Sequence, residues 1–209
     1  WSATRKGKRM LKFHTLTVED VRPEGEDAVA ITFAVPEALR EAYRFEAGQH
    51  LNVRRTLDGE DVRRSYSICS GPASGRLCIG VRRVEGGAFS TFANETLRAG
   101  DTLEVMTPTG HFNTPLDPAQ ARHYVAFAAG SGITPVLSIV TAVLETEPHS
   151  RVTLFYGNRS LATTMFREAL MDLKNRYMQR LSLQFLLSRE QTELAICNGR
   201  IDRERAGEL

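Results

Sequence analysis

"YVAFAAGSGITPVLSIVTAVL", residues 124–144, carries no charged side chain and is long enough to cross a bilayer as a helix. Gly130, Ser131, Gly132 and Pro135 fall in its middle, where a broken spanning helix would leave backbone groups without partners in hydrocarbon. A buried strand, a tight glycine turn and a helix starting near Pro135 account for the same residues without that cost, since proline suits the first helical turn. The stretch therefore reads as strand, turn and helix. Its continuous apolar beginning is what a parallel strand buried on both faces requires.

On the C-terminal side the same alternation continues. A helix over about 135–146 is followed by the strand "RVTLFYG" (151–157), a helix over about 162–177 and the strand "LSLQFLLS" (181–188). Strand, helix, strand, helix, strand is the pattern of a doubly wound α/β domain. Three strands make a partial sheet of that type, and the charged segment "IDRERAGEL" runs to Leu209. The expectation is an incomplete domain whose remaining strands lie outside this sequence.

On the N-terminal side the pattern changes. "FHTLTVEDV", "AVAITFAV", "QHLNVRRTL", "RRSYSIC", "RLCIGVRRV" and "DTLEVMTPTG" are short β-branched or alternating segments. Asp58-Gly59, Gly71-Pro72, Ser74-Gly75 and Gly100-Asp101 punctuate them as turns. They predict a small closed antiparallel barrel of six strands. "FSTFANETLRAG" (89–100) reads as a short helix ending at Gly100. "NTPLDPAQAR" (113–122), with two prolines, reads as the linker. The chain divides into a β-barrel domain over 10–116 and an α/β domain over 117–209. Residues 1–9, which include Arg5-Lys6-Gly7-Lys8-Arg9, read as a start-site remnant or a flexible basic arm.

The 209 residues are enough for two modest domains with cores of their own, and 42% hydrophobic with 25% charged residues is ordinary globular composition. A balance of 27 Lys and Arg against 25 Asp and Glu leaves a formal charge of +2, which gives no support to a nucleic-acid binder. Cys69, Cys78 and Cys197 are odd in number and widely spaced, so they form neither a disulfide framework nor a metal cluster. No metal site is expected, and without an apolar secretory segment a cytoplasmic location is. His50 and His111 read as strand and turn residues, Cys69 and Cys78 as small core residues. No Ser-His-Asp spacing is visible.

Three constellations carry chemistry. "AAGSGITP" (128–135) opens a helix after a strand, so the backbone amides of Gly130, Ser131, Gly132, Ile133 and Thr134 can approach a diphosphate. "VEGGAFS" (84–90) is a second glycine-rich turn into a helix, where Gly86, Gly87 and the amides of Ala88, Phe89 and Ser90 could form another anion cradle, with the Ser90 hydroxyl as a further donor. Either turn alone could be a plain tight connection without a ligand. "RRSYSIC" (63–69) adds a fixed charge, a flat ring and a hydroxyl on one strand. Arg64 suits a phosphate, Tyr66 offers a π-face, and Ser67 can donate to a ring nitrogen. Two cradles with this strand point to two nucleotides, one of them a flavin held against Tyr66 and Arg64.

These motifs resemble the ferredoxin–NADP reductase superfamily. Its R-x-Y-S is matched by Arg64-Ser65-Tyr66-Ser67, its glycine turn ending in serine by "GGAFS" (86–90), and its G-x-G-x-T-P by residues 130–135. The resemblance spans residues 12–202 in the family's order. Within it, "AVPEALREAYRFEAGQHLNVR", "GGAFSTFANE", "LEVMTPTGHFN" and "TLFYGNRS" are most similar to the branch of reductase subunits of bacterial phenylacetyl-CoA epoxidases, which supply electrons to a di-iron oxygenase. The resemblance implies FAD contacts at Arg64, Ser65, Tyr66, Ser67, Val81, Arg82, Gly87, Ala88, Phe89 and Ser90, and a nicotinamide nucleotide on residues 130–134. Tyr66, Ser67 and Thr134 would then stand beside the reacting rings.

Two departures go with it. The family's C-G-P segment is absent, as is the C-x4-C-x2-C…C iron–sulfur domain of such reductases, so a [2Fe-2S] centre is expected only in a C-terminal part outside this sequence. At the end of the second parallel strand stand Asn158, Arg159 and Ser160, with no carboxylate before Glu168. Ser188-Arg189 matches the pair that binds the 2′-phosphate in plant-type members. The expectation is NADPH in preference to NADH. Two alternatives remain open: a flavin reductase without an iron–sulfur centre, and a nucleotide-binding assembly module without turnover.

Overall fold

The computed structural model describes residues 11–209, so the reading of residues 1–9 lies outside the described residues. The first half holds β1 (Phe13–Pro23), β2 (Ala28–Ala34), β3 (His50–Leu57), β4 (Glu60–Ser67), β5 (Leu77–Arg82), α1 (Ala88–Glu95) and β6 (Thr102–Met106). The six strands form one antiparallel sheet in the order β4-β3-β6-β1-β2-β5. Alternate side chains curl it around Leu16, Ile31, Leu51, Val53, Ile68, Ile79, Leu103 and Val105, all at most 2% exposed.

The expected closed barrel is only joined at one point. Its end strands β4 and β5 meet at the bridge Ile68↔Ile79, beside which Cys69 N–H donates to the Cys78 carbonyl at 2.9 Å. β4 is paired along its whole length with β3, from His50↔Ser67 to Leu57↔Glu60, and its other edge is left apart from β5.

The second half holds β7 (His123–Ala129), α2 (Ile133–Thr146), β8 (Arg151–Asn158), α3 (Arg167–Arg176), β9 (Leu181–Leu187) and the short α4 (Arg203–Glu208). β7, β8 and β9 are parallel neighbours in that order. The uncharged stretch 124–144 is thus strand, turn and helix, and no helix among the described residues is long and apolar enough to cross a membrane.

Burial of β7 differs from expectation. Val125 is 55% and Phe127 42% exposed, while Ala128 faces the core. Right-handed crossovers from β7 to β8 and from β8 to β9, advancing in one direction, put α2 and α3 on the same face of the sheet. The opposite face keeps Val125 and Phe127 open, with Phe127 stacked on Phe155 at 5.1 Å.

Two helices are shorter than their sequence patterns. α1 ends at Glu95, where Thr96 N–H still reaches the Phe92 carbonyl, and Gly100 instead bonds the Val18 carbonyl in the turn into β6. α3 starts at Arg167 rather than near 162. The Thr163 and Thr164 hydroxyls donate to the Ser160 carbonyl, local bonds that compete with a helix, and Phe166 is left-handed at φ 56°. α2 starts at Ile133, which puts Pro135 inside its first turn.

The two halves share a core. Val29, Ile31 and Phe33 of β2 face the barrel interior, whereas Ala28 and Ala30 join Cys69, Cys78, Ile133, Met165 and Phe166 on the outer face. Small residues there let the α/β half sit close. Gly80 of β5 is the tightest point, since a Cβ on it would meet Thr134 Cγ2 at 2.7 Å, Phe166 Cε2 at 2.8 Å and Met165 Cε at 3.0 Å. Gly80→Ala should therefore destabilise the protein by about 1–3 kcal/mol, the usual result of overpacking a filled interior. Urea unfolding checks this, and a wild-type midpoint would refute the tight joint.

Candidate functional site

The gap between β4 and β5 is a cleft of about 650 Å³. It is lined by Arg64, Ser65, Tyr66 and Ser67 of β4, by Gly80 and Arg82 of β5, by Val84–Gly87 and Ser90, and by Ser131, Gly132, Thr134 and Pro135 of the other half. On a strand, residues two apart share a face, so Arg64 and Tyr66 present charge and ring to the same side. Arg64 is exposed, one guanidinium nitrogen donating to its neighbour Arg63's carbonyl at 2.8 Å. Tyr66 is half-buried with its ring 5.6 Å from Phe89. Burial pushes its phenol up to about 12, with the Arg64 charge working the other way. Ser65 donates to Asn52 at 2.7 Å.

The glycine turn before α1 supplies amides. Thr91 N–H is the first to bond back, to the Gly87 carbonyl, which leaves the amides of Ala88, Phe89 and Ser90 without helical partners at an N-terminus that favours an anion. The Ser90 hydroxyl does not act as the expected extra donor. At 5% exposed, it donates to the Gly87 carbonyl at 3.1 Å and accepts from Val84 N–H at 3.1 Å, closing the turn. Phe89, Val81 and Ile133 also keep their side chains in the core, at 1%, 0% and 0% exposed, and Gly80 lines the cleft where Val81 was expected. Thr134 is 4% exposed, with its hydroxyl donating to the Ser131 carbonyl at 3.0 Å.

A second cleft, of about 420 Å³, lies at the C-terminal ends of the parallel strands, where ligands of open α/β sheets bind. Arg82, Ala129–Ser131, Gly157, Asn158, Arg159, Ser188 and Gly199–Ile201 line it. Arg82 and Ser131 line both clefts, so the two are contiguous. Asn158 is 8% exposed and neither of its amide atoms has a hydrogen-bond partner, a condition that a bound polar ligand relieves.

Two arginines sit differently from expectation. Arg189 is tied by its backbone N–H to the Arg159 carbonyl at 2.8 Å, but it does not line the cleft. Arg200 does, because the bridge Leu187↔Asn198 and Gly199 N–H to the Leu187 carbonyl at 2.7 Å bring that segment alongside β9. Arg82 is held across the seam between the halves. It touches Asp27 at 3.0 Å without hydrogen-bond alignment and donates to the Thr163 carbonyl. Arg200 and Gly80 were not legible as cleft residues, nor Asp27 as the partner of Arg82, because no local motif marks them. Among the described residues no group of three or more His, Cys, Asp or Glu could hold a metal ion.

The residues fit the two groups implied: a ring face, an exposed guanidinium and an amide cradle in the first cleft, arginines and an unpartnered amide in the second. Comparison with known proteins agrees. Residues 15–114 match the oxidoreductase FAD-binding domain and residues 127–208 the oxidoreductase NAD-binding domain. The chain is 50% identical over 200 residues to a subunit of the 1,2-phenylacetyl-CoA epoxidase of Escherichia coli K12, a match that covers 96% of this chain and 56% of that one. It is 37% identical to the ferredoxin reductase component of 3-ketosteroid-9-alpha-monooxygenase from Rhodococcus rhodochrous, covering 80% and 47%. The solved structure of phthalate dioxygenase reductase superposes with a TM-score of 0.68 at 26% identity, over 88% of this chain and 54% of that one. The chain spans about half the length of the curated relatives it matches.

Tyr43, Tyr66 and Tyr156 all have phenols that burial pushes up to about 12. An unfolded tyrosine ionises near pH 10, so each contributes stability that is complete below about pH 10 and is lost as pH rises towards 12. The urea midpoint should fall across that window, and Tyr66→Phe should flatten the fall. A midpoint constant up to pH 12 would contradict the burial of these phenols.

Proposed function

The chain belongs to the ferredoxin–NADP reductase family of oxidoreductases, with an FAD-binding domain followed by an NAD-binding domain, and from that premise we propose that it takes reducing equivalents from NADPH for delivery to an oxygenase. The observation that carries the reading is the contiguity of the two clefts through Ser131 and Arg82. FAD bound in the first cleft supplies the hydride acceptor, and the protein's task is to hold donor and acceptor rings together and exclude water.

Each residue has a role in that task. With FAD in place, Tyr66 would offer it a ring face and Ser67 a hydroxyl, and Arg64 with the amides of Ala88, Phe89 and Ser90 at the start of α1 would favour its diphosphate. Thr134, fixed by its bond to Ser131 and lining the first cleft, would lie beside a nicotinamide brought to the flavin. Gly130, Ser131 and Gly132 give the second nucleotide's phosphates a glycine turn at the start of α2. Arg159 and Ser188 favour a 2′-phosphate, with Arg189 behind them bracing the backbone of Arg159.

We place the acceptor in the di-iron oxygenase class, reached through a [2Fe-2S] centre outside these residues. The epoxidase and monooxygenase names of the two relatives support an oxygenase, and the phthalate dioxygenase reductase is described as passing electrons from pyridine nucleotides to [2Fe-2S]. A cytoplasmic location suits three buried cysteines that are all free.

The full-length protein should purify yellow. Arg64→Ala should weaken FAD by about tenfold. A charge-assisted hydrogen bond is worth about 1.5–3 kcal/mol, reduced here because Arg64 is exposed. Tyr66→Ala should also alter the flavin absorption spectrum. NADPH should exceed NADH in kcat/KM by about tenfold or more. Wild-type FAD affinity in both variants would sink the flavin assignment, and equal use of NADH would sink the preference.

A further inference from the structure

We propose that Asp27, a barrel residue, is a specificity-determining residue for the nucleotide of the second cleft. It holds Arg159 when no nucleotide is bound and yields it to a ribose 2′-phosphate, so a phosphorylated nucleotide binds by exchanging a carboxylate for a phosphate. This rests on the reading of the second cleft as the nicotinamide-nucleotide site.

The position of Asp27 is fixed by its turn. Gly25, at φ 72°, brings the chain so near the other half that a Cβ would lie 2.7 Å from the Ala162 carbonyl. Glu26 N–H donates to that same carbonyl at 3.0 Å, and the Asp27 carbonyl accepts from Arg83 N–H at 2.7 Å. The carboxylate emerges between two guanidiniums, with Oδ1 at 3.0 Å from Arg82 and Oδ2 at 3.2 Å from Arg159.

The two pairs are unequal. Arg82 is 16% exposed and is also bonded to the Thr163 carbonyl, so it stays in the seam. Arg159 is 51% exposed, and its guanidinium meets only Asp27 among the described residues. It is the partner free to turn. The cleft it lines holds Arg82, Arg159 and Arg200 and no Asp or Glu, which suits a dianion. The unpartnered, nine-tenths-buried amide of Asn158 lies beside Arg159 in the same lining and gives a polar group for the sugar. A ligand lacking the 2′-phosphate has nothing to offer Arg159 in place of Asp27, so only the phosphorylated ligand meets the competition.

An ion pair this exposed shifts an equilibrium by about two- to fivefold. The test is calorimetric binding of 2′,5′-ADP and of 5′-AMP to the full-length holoprotein, as wild type, Asp27→Asn, Arg159→Ala and the double variant. Asp27→Asn should bind 2′,5′-ADP about two- to fivefold more tightly with 5′-AMP unchanged, and the gain should vanish in the Arg159→Ala background. Unchanged or weaker 2′,5′-ADP binding, or the same gain without Arg159, overturns the proposal and leaves the nucleotide site standing. Wild type binding neither nucleotide overturns the reading of the cleft itself. A measurement on the wild type covers the case in which Asn at this position fails to fold. The Asp27 carboxyl carbon resonance should move on saturation with 2′,5′-ADP and hold still with 5′-AMP, and a resonance that ignores 2′,5′-ADP overturns the exchange.

Discussion

The absence of a side chain at Gly80 sets the distance between the two halves. With Thr134, Phe166 and Met165 packed against that strand, the start of α2 lies directly across the opening between β4 and β5. Any Cβ at this point would push the glycine turn outward and widen the cleft. The contiguity of the two clefts depends on this contact more than on any residue that faces a ligand. Ala28, Ala30 and Cys78 extend the same small-residue surface, so the joint is a shared core rather than a hinge over a wet interface.

The incomplete closure of the barrel has a related consequence. A sheet closed along its full length would satisfy the free edge of β4 with β5 and leave no room between them. Joining only at Ile68↔Ile79 keeps the end strands together near Cys69 and Cys78, and lets them part where Arg64, Tyr66 and Ser67 stand. The cleft is therefore made from a departure from regular sheet geometry, with a hydrophobic core directly behind it. Phe89 links the two, as it is fully buried, packs on Tyr66 and lies in the first turn of the helix whose flanking Gly87 and Ser90 line the cleft.

Charge along the seam follows a simple arrangement. Two guanidiniums converge on Asp27, and Glu24 accepts from Phe166 N–H at 2.9 Å, so the turn between β1 and β2 touches the other half through two of its three carboxylates. Burial raises the pKa of Glu24, with that backbone hydrogen bond opposing the rise. Pairs that are half-exposed contribute little to stability. Their value here lies in where they hold the arginines.

Much was legible in the chain itself. Residues 124–144 could be read as strand, turn and helix because glycines and a proline restrict the backbone locally, wherever the rest of the chain goes. That Arg64, Tyr66, Gly87 and Thr134 belong to motifs was legible for a similar reason, since each motif is complete within a few residues, and the fold brings the four into one cleft. The remainder needed three dimensions. Arg159 and Asp27 are separated by 132 positions, and their pairing exists only because a turn of the barrel docks on the loop after β8. Arg200 replaces Arg189 in the cleft because of a bridge to β9. The apolar run of β7 gave no hint that one of its faces is open, since apolar composition does not say which face of a sheet the helices cover, and the hand and order of the crossovers decide that. Local conformational preference is written in consecutive residues; register, crossover direction and the meeting of distant charges depend on how the elements pack.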